Sequence, residues 1–322
     1  MLHSKAVTIA VALYLITTGF PAHSQSYPAR PVRLIAPFAP GGGVDIVTRL
    51  VGQKLGEALG QQFVIDNRPG AGSNLGTGLA AAAQPDGHTL VVVSVAYAIN
   101  RSLYKSLGYD PKDLTVIGLI ASAPNLLVVH PSLPVSSPGA LVDLAKRTPG
   151  SLNYASAGAG TPTHLAAELF NSMSGAALVH IPYRGGGPAI IDLISGQVKV
   201  MFPGIIAAIA HVNNGRLKPL GVTSLKPSRV APGVPTIAAS GFPGFEAENW
   251  YALLAPAKTS RAIVNMLNVE LNKITSAPEV QERLARGGAE PLSGTPTEAR
   301  MYVLHEMKKW AKVVAASGAT VK

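Results

Sequence analysis

Val32-Arg-Leu-Ile-Ala-Pro-Phe-Ala-Pro-Gly-Gly-Gly-Val-Asp45 runs from a short apolar stretch through a glycine loop into a helical pattern. The run Val32–Phe38 has the length of a buried strand. From Val44 to Leu59 the apolar residues Ile46, Val47, Leu50, Val51, Leu55 and Leu59 recur at helical spacing and share one face. Phe63–Ile65 reads as the next strand, Asn74–Ala83 as an alanine-rich helix and His88–Val93 as a third strand. Strand, helix, strand, helix, strand in this order predicts a parallel sheet with helices on its faces.

The alternation continues outward. Thr115–Ile120 and Leu126–Val129 read as strands. Helices at Gly139–Arg147, Thr163–Met173 and Pro188–Ser195 alternate with strands at Leu152–Ala155, Leu178–Ile181, Val198–Phe202 and Leu217–Thr223. Each half of the chain is therefore expected to carry its own sheet. Trp250–Leu254 is strand-like. Ser260 caps a helix with Ile263, Leu267, Leu271 and Ile274 on one face. Thr295 and Glu298, with Pro296 between them, form a capping box ahead of a last helix.

Three segments repeat the design of the opening one, in which a strand meets a Gly/Pro loop that starts a helix. They are Asn67–Asn74, Ser156–Thr163 and Pro182–Pro188. The first N–H groups of a helix have no partner inside it and carry partial positive charge, and glycine lets a ligand reach them. Such loops bind anions, carboxylates included. A single loop of this kind is equally an ordinary tight turn. Several in one chain favour a polar cleft, since open α/β sheets take ligands beyond their strand ends. The first loop is no dinucleotide fingerprint: Gly-x-Gly-x-x-Gly from Gly41 needs glycine at position 46, where Ile46 stands.

Composition narrows the function. With 322 residues the chain is long enough for two compact units. Its 27 Lys and Arg against 17 Asp and Glu give a net charge of +10, but the basic residues are scattered and aromatics make up only 6%. That pattern suits small anions rather than a nucleic-acid stripe. There is no cysteine, so no disulfide, thiol nucleophile or Cys-based metal site is expected. His3 and Lys5 lead into an apolar run from Ala6 to Phe20, and Ala22 and Ser24 then place small residues two apart. This reads as a signal peptide over residues 1–24, and the apolar run is shorter than the about 20 residues a membrane span needs. An exported chain without disulfides or a lipid-acceptor cysteine points to a bacterial periplasm.

Catalytic signals are weak. No Gly-x-Ser-x-Gly elbow occurs. His88, His130, His164, His180, His211 and His305 show no metal-ligand spacing with one another or with a carboxylate. An enzyme reading would use His164, at a helix start, with Asp45. Asp45 is equally explained as a first-turn acid favoured by the helix dipole. No enzyme activity, cofactor or metal is therefore expected.

Taken in order, Pro-Phe-Ala-Pro-Gly-Gly-Gly-Val-Asp from Pro37, Asp-Asn-Arg-Pro-Gly-Ala-Gly from Asp66, Pro-Asp-Gly-His-Thr-Leu from Pro85, Asn-Tyr-Ala-Ser-Ala-Gly-Ala-Gly-Thr from Asn153 and Ile-Pro-Tyr-Arg-Gly-Gly-Gly-Pro-Ala from Ile181 resemble the Bug family. These are the periplasmic receptors of tripartite tricarboxylate transporters. The resemblance implies a two-lobed type II periplasmic-binding-protein fold, a Venus flytrap, with a mixed or parallel sheet flanked by helices in each lobe. Residues 27–122 and 231–322 would form one lobe and 123–230 the other. It implies a monomer that holds a di- or tricarboxylate, an acidic amino acid or an aromatic acid, and that delivers it to membrane transporter subunits. A receptor presenting its ligand to a sensor kinase is the variant of this reading. The implied ligand-binding residues are Phe38, Pro40, Gly41, Gly42, Gly43, Asn67, Ser73, Ser94, Ser156, Gly158, Gly160, Thr161, Thr163, Tyr183 and Gly186, to which Asp45 is added as a group that orders waters or an ammonium. The chain departs from the family pattern at Val44, Ser73 and Ala239, and the first two bear on which acid is bound.

Overall fold

The computed structural model describes residues 27–317, so the expected signal peptide lies outside the described residues. Two sheets organise the chain. The first has strand order β11-β4-β10-β3-β1-β2, built from β1 (Val32–Ala36), β2 (Phe63–Asn67), β3 (Thr89–Ser94), β4 (Leu114–Pro124), β10 (Glu248–Pro256) and β11 (Glu290–Pro291). The second has the order β7-β6-β8-β5-β9, from β5 (Leu126–Val129), β6 (Asn153–Ser156), β7 (Val179–Pro182), β8 (Val200–Met201) and β9 (Lys218–Val222). Within the first sheet β1 runs parallel to β2 and β3, while β10 is antiparallel to β3 and β4. Within the second, β6 is parallel to β7 and β8, and β5 is antiparallel to β8 and β9.

Ten α-helices lie between and after these strands among the described residues. They are α1 (Gly43–Leu59), α2 (Asn74–Ala81), α3 (Ala96–Leu103), α4 (Pro138–Arg147), α5 (Pro162–Ser174), α6 (Gly186–Ile194), α7 (Ile205–Asn213), α8 (Arg261–Ser276), α9 (Pro278–Arg286) and α10 (Pro296–Ser317). The opening stretch folds as its pattern predicts. Leu34, Ile35 and Ala36 are fully buried in β1; Leu34 packs in one apolar cluster with Val47, Leu50, Val51 and Leu55 of α1, while Ile35 joins a second cluster. Gly60 ends α1 in the left-handed conformation, its N–H donating to the Gly56 carbonyl. Two helices, α3 and α7, occupy stretches whose periodicity does not announce them. Ile205-Ile-Ala-Ala-Ile-Ala has no polar face to mark a helical period, and α3 is buried on nearly every side.

The chain passes from the first sheet to the second at Asn125, the single residue between β4 and β5. It returns just ahead of β10. Residues 235–247 stay with the second sheet: Val222 N–H donates to Pro235 O, Ile237 N–H to Val222 O and Ala247 N–H to Thr223 O. Ile237, Phe245 and Ala247 also join the apolar cluster over that sheet. One side chain ties both passages. Asn125 N–H donates to Thr223 Oγ1 at 2.7 Å, and the Thr223 hydroxyl lies 2.6 Å from Ala247 O, which it bonds as donor. The last helix closes on the first sheet, where Trp250 Nε1 and Trp310 Nε1 both donate to Glu306 Oε2 at 3.0 Å.

Candidate functional site

Between the two sheets lies a cavity of about 40 Å³, enough for a few waters. Its wall comes from both sheets: Phe38, Gly42, Gly43, Val44, Ser94, Asn249 and Tyr251 from the first, and Ala157, Thr161, Pro162, Thr163, Gly186, Ile190, Met201, Pro203, Gly204 and Ala207 from the second. It sits past the carboxyl ends of β1, β3, β6, β7 and β8, where an open α/β sheet leaves helix starts unopposed.

Five helices begin at this wall or within two residues of it: α1, α3, α5, α6 and α7. Their cap residues, Gly42, Val95, Thr161, Gly185 and Gly204, give no side-chain cap. Of the helices that begin elsewhere, α4, α8 and α10 are closed off, whereas α2 and α9 also lack a side-chain cap. Ser137 Oγ accepts from Ala140 N at the start of α4, Ser260 Oγ from Ile263 N at the start of α8, and Thr295 Oγ1 from Glu298 N at the start of α10. Five positive helix ends whose cap residues supply no side-chain cap thus meet at this one place. Neutral donors add to them. The Tyr251 phenol is buried, accepts from Asn249 Nδ2 at 3.1 Å, and is pushed up in pKa by that burial, so it stays protonated. The Ser94 hydroxyl is buried beside it on the wall.

Phe38, Gly42, Gly43, Ser94, Thr161, Thr163 and Gly186 of the expected residues stand on the wall. The others stand behind it and hold it. Asp45 accepts from Gly41 N at 3.0 Å, from Asn67 Nδ2 at 2.8 Å and from Arg49 Nε at 3.0 Å, which pins the first loop across the start of α1. Burial pulls the Asp45 carboxyl up, but these bonds and the Arg49 charge outweigh it and hold the group below the usual range. Asn67 Nδ2 also donates to Phe38 O. Ser73 is buried with φ +90°, a conformation that favours glycine, and its carbonyl accepts from Thr77 Oγ1. The Gly158 carbonyl accepts from Thr161 Oγ1, and Gly160 N–H donates to His164 Nδ1 at 3.1 Å. Tyr183 donates to Asp192 at 2.7 Å. Pro40 and Gly41 lie against Gly187 of the opposite loop.

Ser156 Oγ is 2.6 Å from His180 Nε2, and the His180 ring stacks between Tyr154 and His164, with centroids 5.0 and 4.1 Å away. Burial holds His164 down at about 4; burial and the neighbouring His164 hold His180 there too. Both rings are thus neutral at pH 7 and serve as packing under the α5 loop. His164 has its Nδ1 committed to Gly160, and Asp45 is committed to Gly41, Asn67 and Arg49, so the structure does not pair them. Among the described residues no group of three His, Asp or Glu is placed to hold a metal ion. No helix there is long and apolar enough to cross a membrane.

Asn249, Tyr251, Gly204 and Ala207 are wall residues that the sequence reading did not single out. Phe202-Pro203-Gly204-Ile205 repeats the strand, Pro/Gly, helix design and was a usable signal. Tyr251 offers none, because β10 is buried on both faces and shows no alternation.

Two sheets joined by two passages, with helix N-termini converging on a cavity between them, are the architecture of the two-lobed periplasmic-binding-protein fold. The chain belongs to the tripartite tricarboxylate transporter family receptor family, whose model matches residues 47–319. It is 36% identical over 317 residues to protein BugT of Bordetella pertussis, covering 97% of each chain. Among solved structures it is similar to R. palustris Rpa4515 with adipate, at 36% identity and a TM-score of 0.88 over 91% of this chain and 98% of that one. It is also similar to MatC from Rhodopseudomonas palustris with bound malate, at 31% identity and a TM-score of 0.86 over 89% and 100%. The family is one of solute-binding receptors, not of enzymes.

Proposed function

We propose that the protein is a periplasmic receptor that closes its two lobes on a small carboxylate and hands it to the membrane subunits of a tripartite tricarboxylate transporter. The observation that carries this reading is the convergence of five helix N-termini without side-chain caps on one cavity. An anion placed there meets several fixed N–H donors whose orientation needs no rearrangement. The adipate and malate held by the two R. palustris relatives are acids of this kind. The residues that contact the ligand in this reading are the wall set, with Gly42, Gly43, Thr161, Thr163 and Gly186 supplying the loops and Ser94, Asn249 and Tyr251 the neutral donors. Asp45, Asn67, Ser156 and Gly160 keep the loops in place.

In the same reading residues 1–24 are removed on export. One lobe consists of residues 27–124 with 248–317, and the other of 126–247, the passages at Asn125 and Ala247 serving as hinges. This moves the second passage later than the family pattern places it, because residues 235–247 bond to β9.

The test is calorimetric titration of stripped, refolded protein with a panel of small carboxylates. Stoichiometric binding of at least one acid, recovered intact afterwards, is expected. Steady conversion of a bound acid, or no binding across the panel, overturns the proposal.

A further inference from the structure

The loop 157–163 gives Ala157, Thr161 and Thr163 to the wall and carries Thr161, the cap residue of α5. Two histidines hold it from behind. The buried Gly160 N–H donates to His164 Nδ1 at 3.1 Å, and Nδ1 accepts only while it carries no proton. Gly158 N–H donates to Ser156 Oγ at 3.1 Å, which leaves the Ser156 proton for His180 Nε2 at 2.6 Å. Both imidazoles therefore act as acceptors beneath one loop, but they differ in acid. A protonated His180 can donate to Ser156 Oγ instead, because a hydroxyl turns. A protonated His164 meets the Gly160 N–H donor to donor, and a backbone N–H has no second role to take.

The titratable groups about His164 come from every side. Tyr154 of β6 and His180 of β7 stack near it, with centroids 6.4 and 4.1 Å away. Glu168 of α5 accepts from the Tyr154 hydroxyl and favours a proton on His180, though burial outweighs it. Tyr104, which follows α3, is kept protonated by burial and donates to Ala159 O at 3.1 Å, so the same loop also carries a contact to the first sheet's side.

Resting on the receptor reading, we propose that His164 is an acid-sensitive positioning residue for the bound carboxylate: as a neutral acceptor it holds the loop 157–163 at the wall, and protonation releases the loop and the ligand with it. With the loop held, burial keeps the ring at about 4; set free, it titrates near about 6.5. The held ring has the lower value, so the held loop is fully favoured above about 6.5 and is lost as the pH falls towards 4. At pH 5 these values favour release by at most about 30-fold.

Two variants separate positioning from packing. His164→Asn puts an oxygen where Nδ1 stands and takes up no proton in this range, whereas His164→Ala removes the acceptor. The carboxylate panel, adipate and malate included, is titrated calorimetrically at pH 7 and pH 5. The wild type is expected to lose at least about fivefold more affinity over that interval than His164→Asn; the titration of the acids themselves is common to both proteins and cancels. His164→Ala should bind at least about tenfold more weakly than His164→Asn already at pH 7. Equal losses in the wild type and His164→Asn overturn the acid sensitivity and leave the receptor standing. Equal affinity of the two variants at pH 7 overturns the positioning role. A second measurement needs no ligand. In protein made with isotope-labelled glycine, the Gly160 amide resonance should shift between pH 7 and pH 4 in the wild type and stay in place in His164→Asn. A wild-type amide that stays while the His164 ring titrates overturns the proposal. No binding anywhere in the panel at pH 7 overturns the receptor reading, and the release with it.

Discussion

Gly43 shows what a single position decides. Its φ is not in the left-handed region, so alanine would suit the backbone, but a Cβ there would stand 2.5 Å from the Tyr251 hydroxyl. That hydroxyl cannot retreat, because Tyr251 is fully buried and held by Asn249. Glycine is required at the start of α1 so that a buried tyrosine from the far end of the chain can reach the helix end. Gly43→Ala is expected to displace the phenol and to weaken carboxylate binding by about 10- to 100-fold, the equivalent of the 1–3 kcal/mol that overpacking costs. Adding Tyr251→Phe, which removes the obstructing oxygen, should recover the melting temperature that Gly43→Ala loses while leaving binding weak, since the phenol is itself one of the proposed ligand donors. A Gly43→Ala protein that binds like the wild type would show that the phenol does not bear on the site. Ser73 is the opposite case: it keeps φ +90° without glycine's freedom, held in a buried turn.

Among the elements, most strands and helices were readable from period and caps, because each buries one regular face. α1 and the capping box of α10 formed where their patterns put them. β4 is longer than its apolar run suggests, extending from Leu114 to Pro124, since pairing with β10 continues past the point where hydropathy stops. α3 and α7 were hidden for different reasons: α3 buries six of its eight residues, and the apolar run that opens α7 carries no polar residue to mark a period. The stack of Tyr154, His180 and His164 across β6, β7 and α5 has a consequence in solution. Both histidines are held at about 4 in the folded protein, against about 6.5 when unfolded. A depressed pKa means that the unfolded chain binds more protons between these values. The stability from these rings is therefore complete above about pH 6.5 and is lost as the pH falls towards 4. The melting temperature should drop over that range, and it should drop less in His180→Gln, which keeps a polar group near Ser156 but cannot take up the proton. Superimposable pH profiles for the two proteins would refute this.

At the scale of the whole molecule, the lobes meet through glycines. Gly187 of α6 lies against the Pro40 carbonyl and Gly41, and Ala39 N–H donates to Arg184 O at 3.3 Å. An alanine at position 187 would press on the Pro40 carbonyl of the opposite lobe while leaving its own lobe unstrained. Gly187→Ala should thus bind ligand at least about tenfold more weakly, with the melting temperature of the ligand-free protein nearly unchanged. Its small-angle scattering should show little of the compaction that ligand produces in the wild type. Full compaction with wild-type affinity would mean that the two loops need not touch for closure. The sequence alone determined that the chain alternates strands and helices, that several helices open on glycine loops suited to an anion, and to which family those loops are similar. These are local matters, written in spacing and in residues that tolerate special backbone angles. Only the tertiary structure decided which loop residues face the cavity and which brace it, that Asn249, Tyr251 and Gly204 join the wall, and that Asp45 is spent on its own loop. Those outcomes depend on contacts between segments far apart in the chain, and neither hydropathy nor spacing along one segment carries information about what another segment will bring to meet it.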